Sequence, residues 1–104
     1  MKALTDIEIC ERIAVIEGWR THTLRGYVAI DKDSYESEYN PLTDDALCTQ
    51  LIRHHKVSIS FKSEGVMCSI KDEFNGFTIG GSLDEDFNKA VCLAIISAKS
   101  MSKE

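Results

Sequence analysis

Residues 56–83 read KVSISFKSEGVMCSIKDEFNGFTIGGSL, and this stretch decides the fold. Val57, Ile59 and Phe61 alternate with Ser58, Ser60 and Lys62. Successive side chains of a strand point to opposite sides, so a period of two buries one face and leaves the other to solvent. Val66, Cys68 and Ile70 repeat the pattern against Met67, Ser69 and Lys71, and Phe77 and Ile79 begin a third run. Lys62-Ser63-Glu64-Gly65 separates the first two runs, and Gly65 can supply the positive φ that closes a short hairpin. Asp72-Glu73-Phe74-Asn75-Gly76 separates the second from the third, and its Asn-Gly pair suits a tight primed turn. Connections this short require antiparallel pairing, because a parallel return needs a crossover of about a dozen residues. The stretch therefore predicts an antiparallel meander of three to four strands, ended by Gly80-Gly81, with one covered face and one half-polar face.

Helical signals flank it. Thr5-Asp6-Ile7-Glu8 is a capping box, Ile9, Cys10, Ile13 and Ile16 follow at helical spacing, and Gly18 is placed to end that helix. Trp19 comes next and is expected to fold back into the core. Gly26–Ile30 has the composition of a strand, at the edge of the sheet, and 31–39 reads as a solvated acidic loop with two tyrosines. Pro41-Leu42-Thr43 introduces a second helix with Thr43 as N-cap and Asp44 and Asp45 at the positive end of its dipole. Leu47, Cys48, Leu51 and Ile52 form its buried stripe. Ser82-Leu83-Asp84-Glu85 reads as a second capping box, opening a helix with Phe87, Ala90, Val91, Ala94, Ile95 and Ala98 on one face. Leu93 and Ile96 lie off that face, which implies either burial under an opposite layer or an oligomer contact. The tail from Ser100 is polar and expected to fray. The whole chain, 1–104, thus predicts one α+β domain: the meander packed with three helices in a layered sandwich.

Composition narrows the function. The formal net charge is −5, and the lysines and arginines are scattered without a basic stripe, so nucleic acid is not an expected partner. No apolar run approaches the about 20 residues of a membrane span, and there is no signal-peptide pattern, so a cytoplasmic location is expected. Of the four cysteines, Cys10, Cys48 and Cys92 fall in helical patterns and Cys68 on the apolar side of a strand. Without a C-x-x-C pair they read as buried, reduced, small hydrophobes.

Catalytic and cofactor patterns are missing from the sequence. It contains no phosphate-binding glycine loop, no G-x-S-x-G and no H-E-x-x-H. The calcium-loop pattern suggested by Asp31 and Asp33 fails at its sixth position, Glu36, and its twelfth, Leu42. Cys48 and His55 share a helical face but stand about 10 Å apart along the axis. His54 and His55 are adjacent, and neighbouring helix residues point about 100° apart, so they are assigned to helix termination and no metal site is expected. No enzyme activity and no cofactor are expected.

The order of elements resembles a known family. A first helix ends in Gly18-Trp19, Tyr39-Asn40-Pro41-Leu42-Thr43-Asp44 enters a second helix, and a meander leads to Phe87-Asn88-Lys89-Ala90-Val91-Cys92-Leu93-Ala94-Ile95. This resembles the phage ABA sandwich domain family of small phage and prophage proteins. The chain departs from the family pattern in the three residues set between Tyr39 and the helix start. The resemblance implies a layered α+β fold and a bacterial cytoplasm during infection or lysogeny. It implies no activity and transfers no catalytic residue.

Two functions from different classes follow. The first is a non-enzymatic interaction module that binds a host or phage protein through the acidic-aromatic segment Asp33, Tyr35, Glu36, Glu38 and Tyr39, tyrosines serving as anchors in a polar rim. The second is a small-ligand binder, for a nucleotide or metabolite, with Trp19 and Tyr27 as aromatic wall and Arg20 and Arg25 holding an anion. A homodimer through Leu93 and Ile96 is compatible with both.

Overall fold

The computed structural model describes residues 4–24, 26–32, 35–72, 74 and 76–102. In chain order they form α1 (Asp6–Ile16), β1 (Thr21–Leu24), β2 (Tyr27–Lys32), β3 (Tyr35–Glu38), α2 (Asp45–His55), β4 (Ser58–Lys62), β5 (Gly65–Lys71), β6 (Thr78–Asp84) and α3 (Phe87–Ser102). The strands make two antiparallel meanders, β1-β2-β3 and β4-β5-β6. One side of α3 packs against β6 and β5, α1 and α2 pack against α3 as well, and α1 also contacts β1 and β2. The fold is α+β, with three helices packed against the sheets.

The 56–83 meander forms as its alternation dictates. Ile59 pairs with Cys68 and Phe61 with Val66, so the apolar residues of both strands share one face. Gly65 closes the first hairpin at φ 148°. The second connection is wider than a two-residue turn: the Asp72 amide donates to the Phe77 carbonyl at 2.8 Å and the Gly76 amide to the Asp72 carbonyl at 2.9 Å. Asn75, half of the expected Asn-Gly turn, lies outside the described residues.

The third strand departs from expectation. Gly80-Gly81 does not end the sheet, because β6 continues to Asp84. Ile70 pairs with Gly80 but Lys71 with Thr78, so Ile79 is a bulge, and the bulge turns Gly80 toward the helix side. A β-carbon on Gly80 would stand 2.7 Å from Ala98 Cβ, so the bare glycine is what lets α3 settle on the strand. Phe77, expected to begin the third run, precedes β6 and is 72% exposed. Phe61 keeps the inward register but sits at the strand's end, exposed, with its ring stacked on Phe87 at 6.3 Å.

Helix ends follow local chemistry, with two shifts. At α1 the Glu8 amide donates to Thr5 Oγ1 and the Thr5 amide to Glu8 Oε1, completing the capping box. The N-cap of α2 is Asp44, not Thr43: Asp44 Oδ1 accepts from the Leu47 amide at 3.1 Å. Thr43 is held back in a turn, because its amide and that of Asp44 both donate to the Asn40 carbonyl. Asn40 Oδ1 also accepts from the Leu42 amide and from Cys10 Sγ, tying this turn to α1. The box expected at Ser82 is displaced by the longer β6, and Asp86 takes the cap, accepting from the Lys89 amide at 3.1 Å. Helix α3 runs to Ser102, beyond the expected fraying point.

The segment 20–39 is where the sequence expectation fails most. Tyr27–Lys32 is the central strand of a sheet, not an edge strand of the other meander. Residues 35–38 form β3, paired through Ala29↔Glu38 and Asp31↔Glu36, where a solvated loop was expected. The Tyr-Glu-Ser-Glu run has no apolar alternation to announce a strand, and backbone pairing to β2 makes it one.

The core joins Ile9 and Ile13 of α1, Ile30 of β2, Leu51 of α2 and Ile95 of α3. Each contributes roughly 1.5–3 kcal/mol relative to exposure. Ile96 is buried in the same cluster and Leu93 packs half-buried against it. The off-face residues of α3 thus take the burial alternative, and the stripe offered as an oligomer contact is largely covered within the chain. All four cysteines are free and buried.

Candidate functional site

The turn after α1 shapes the principal cavity. Gly18, at φ 87°, reverses the chain while the Trp19 amide donates to the Ala14 carbonyl at 2.9 Å and the Gly18 amide to Val15. This sends Trp19 outward instead of into the core, and it remains 39% exposed. It lines a cavity of about 400 Å³ between the first sheet and α2, together with Glu17, Glu38, Tyr39, Asp44 and Gln50 among others. No lysine or arginine is among the described residues that line it. Asp44 is oriented by its capping bond to Leu47, and Glu38 and Asp44 continue into a shallower notch with Asp45 and Asn40. The depression is acidic with one aromatic wall.

Tyr39 forms the cavity's inner boundary. The residue is 3% exposed, and its phenol oxygen has no hydrogen-bond partner among the described residues. Burial first, and the negative charge of Glu17 second, hold the phenol neutral well above its ordinary range. Tyr39 was expected to anchor a partner at the surface; it is a core residue.

Beneath this cavity the carboxylate of Glu17 is gripped from two sides. His54 Nδ1–H donates to Glu17 Oε1 at 2.8 Å and His55 Nε2–H to Glu17 Oε2 at 2.7 Å. The two imidazole centroids are 4.6 Å apart. Although adjacent helix positions point about 100° apart, both rings reach the one carboxylate. At the end of α2 one ring presents Nδ1 and its neighbour Nε2, and this difference in reach compensates for the angle between their Cβ directions.

The remaining candidate residues scatter. On the outer face of the first sheet, His22 Nε2 lies 3.0 Å from Asp31 Oδ1 and 3.6 Å from Glu36 Oε2, relieving the direct opposition of two carboxylates. Glu36 and Glu38 therefore project from a strand rather than a loop, Tyr35 begins that strand, and Asp33 lies outside the described residues. The set offered as an anion pocket is not assembled. Trp19 lines the acidic cavity and Tyr27 a separate one beside Cys10 and Asn40, with Tyr39 between. Arg20 is exposed, and Arg25 lies outside the described residues.

Sequence reasoning missed Glu17. A signal existed: a carboxylate at the C-cap of α1, with no basic residue in the last turn, opposes the negative end of the helix dipole and calls for a donor from elsewhere. It also missed Phe74, which is 98% exposed in the β5–β6 connection. Comparison with protein-family models finds no match, and comparisons with curated proteins and with solved structures find none either.

Proposed function

We propose that this chain is a non-enzymatic interaction module that captures a basic segment of a partner protein at its acidic cavity. The observation that carries the proposal is the placing of Trp19 in the lining of one depression with Glu38 and Asp44, with no lysine or arginine among the described residues that line it. An aromatic face beside carboxylates suits an arginine or lysine side chain, through cation–π attraction and charge-assisted hydrogen bonds. Asp31 and Glu36 on the adjoining sheet face extend the same sign of charge, and the overall charge of −5 steers cationic partners toward it. The resemblance to the phage ABA sandwich family supports a host or phage protein as that partner, met in an infected bacterial cytoplasm. An anionic small ligand such as a nucleotide fits the acidic lining poorly.

Trp19 is the single tryptophan, so its emission reports on the cavity directly. Titration with a short arginine-rich peptide is expected to change that emission saturably, with affinity falling as salt rises. Glu38→Lys should abolish the response, and Asp44→Asn, which keeps a capping oxygen, should weaken it without loss of melting temperature. A peptide response equal in parent and Glu38→Lys chains would place binding elsewhere. No response at all, combined with unaltered capture of a lysate partner by the variant, would overturn the module's assignment to this cavity.

A further inference from the structure

We propose that Glu17, His54 and His55 form a binding site for a transition-metal dication of the zinc class, independent of the basic-segment reading. Each residue offers one ligand atom, and the three atoms lie within 4.8 Å of one another. Two imidazole nitrogens beside one carboxylate suit zinc, whereas calcium and magnesium take sets of oxygen ligands.

Three further observations favour the site. The Glu17 and His55 side chains are only 14% and 10% exposed, so two of the three ligands are already held in place. Glu17 is the C-cap of α1 and His54 and His55 end α2, so two helix C-termini converge here, each bringing partial negative charge that favours a cation. Glu17 also lines the cavity that Trp19 lines, so open space adjoins this ligand residue and can admit a fourth, exchangeable ligand such as water.

The binding geometry is reached by side-chain rotation from ligand atoms that already lie within 4.8 Å of one another. Metal–ligand bonds of zinc length at tetrahedral angles set ligand atoms about 3.4 Å apart. The carboxylate–imidazole contacts now measure 2.8 and 2.7 Å, as direct hydrogen bonds. The two contacts use different carboxylate oxygens. An ion bound through one oxygen therefore pushes that oxygen's imidazole back by roughly 0.6–0.7 Å and draws the other ring toward the same oxygen by side-chain rotation. Each facing ring nitrogen gives its proton to water or to the other ring nitrogen. His54, 66% exposed, is the ligand free to move.

The test uses the full chain stripped with chelator, titrated with Zn²⁺ by calorimetry and with Co²⁺ by absorption spectroscopy. One equivalent should bind, and the cobalt complex should show the visible bands of a nitrogen–oxygen site without the intense ultraviolet band of thiolate ligation. Glu17→Gln should lower affinity at least tenfold. His54→Ala, at an exposed position where folding is not at stake, should do the same, with circular dichroism unchanged for each. His22→Ala, which removes the exposed His22–Asp31–Glu36 cluster, should leave binding intact. The assignment is overturned by thiolate bands, by binding that survives His54→Ala but not His22→Ala, or by no heat and no cobalt spectrum at a hundred micromolar metal.

Discussion

Gly80 of β6 and Ala98 of α3 meet so closely that a β-carbon on the glycine would lie 2.7 Å from the alanine's own. Gly80→Ala forces α3 off the sheet and should destabilise the chain by roughly 1–3 kcal/mol or more. Gly81→Ala is the comparison: its nearest neighbour would be the Cys68 carbonyl oxygen at 3.3 Å, so its cost should be clearly smaller. Urea denaturation of both variants decides the point, and equal costs would contradict the close approach.

Asn88, a buried polar residue of α3, donates through Nδ2 to the Leu42 carbonyl at 3.2 Å and to Asp45 Oδ1 at 3.1 Å. These bonds pin the start of α2 to the start of α3. Asn88→Ala leaves both acceptors without this donor and should cost roughly 1–3 kcal/mol. Asn88→Asp should cost more, because it sets a second carboxylate beside Asp45. Thermal melts at neutral pH would show the ranking.

The assignment of the α2 cap is open to a direct check. Asp44→Ala should lose about 1 kcal/mol, Asp44→Asn much less, and Thr43→Ala almost nothing. A larger loss at Thr43 than at Asp44 would move the cap back to the position expected from sequence.

Burial pushes the Cys48 thiol from its ordinary 9.0 up to about 11, and those of Cys10, Cys68 and Cys92 upward as well. The unfolded chain then ionises these groups first. Their contribution is fully present below pH 9 and is lost as pH rises toward the folded value, by roughly 1.4 kcal/mol per unit for each such thiol. Stability should fall between about pH 9 and 11, and fall less in Cys48→Ala than in the parent. Thiolate is the reactive species, so all four cysteines should resist a thiol reagent at pH 8 until denaturant is added. Rapid labelling of the native chain would contradict their burial.

The 56–83 meander, the capping box at Thr5 and the buried cysteines were legible in the chain because each rests on local rules: alternation with period two, a cap at fixed spacing, thiols on apolar faces. The bulge at Ile79 was not legible, since it answers to the packing of Ala98 on Gly80, residues of two elements that meet only in the folded chain. The first sheet hid for a related reason. Tyr35–Glu38 carries no apolar period, and its strand character comes from backbone bonds to β2. Trp19 was misplaced because Gly18 sets the chain's direction while the neighbouring elements decide whether a cavity or a core receives the ring.

The candidate sites divide in the same way. The sequence by itself determined the acidic balance, the acidic run Glu36–Glu38 and the histidines at the end of α2, all matters of residue type and order. Only the tertiary structure brought Glu17 to His54 and His55 across a separation of 37 and 38 residues, and Trp19 to Asp44 across a cavity. Such juxtapositions depend on how α1 and α2 come together around the shared core, and no local periodicity encodes that arrangement.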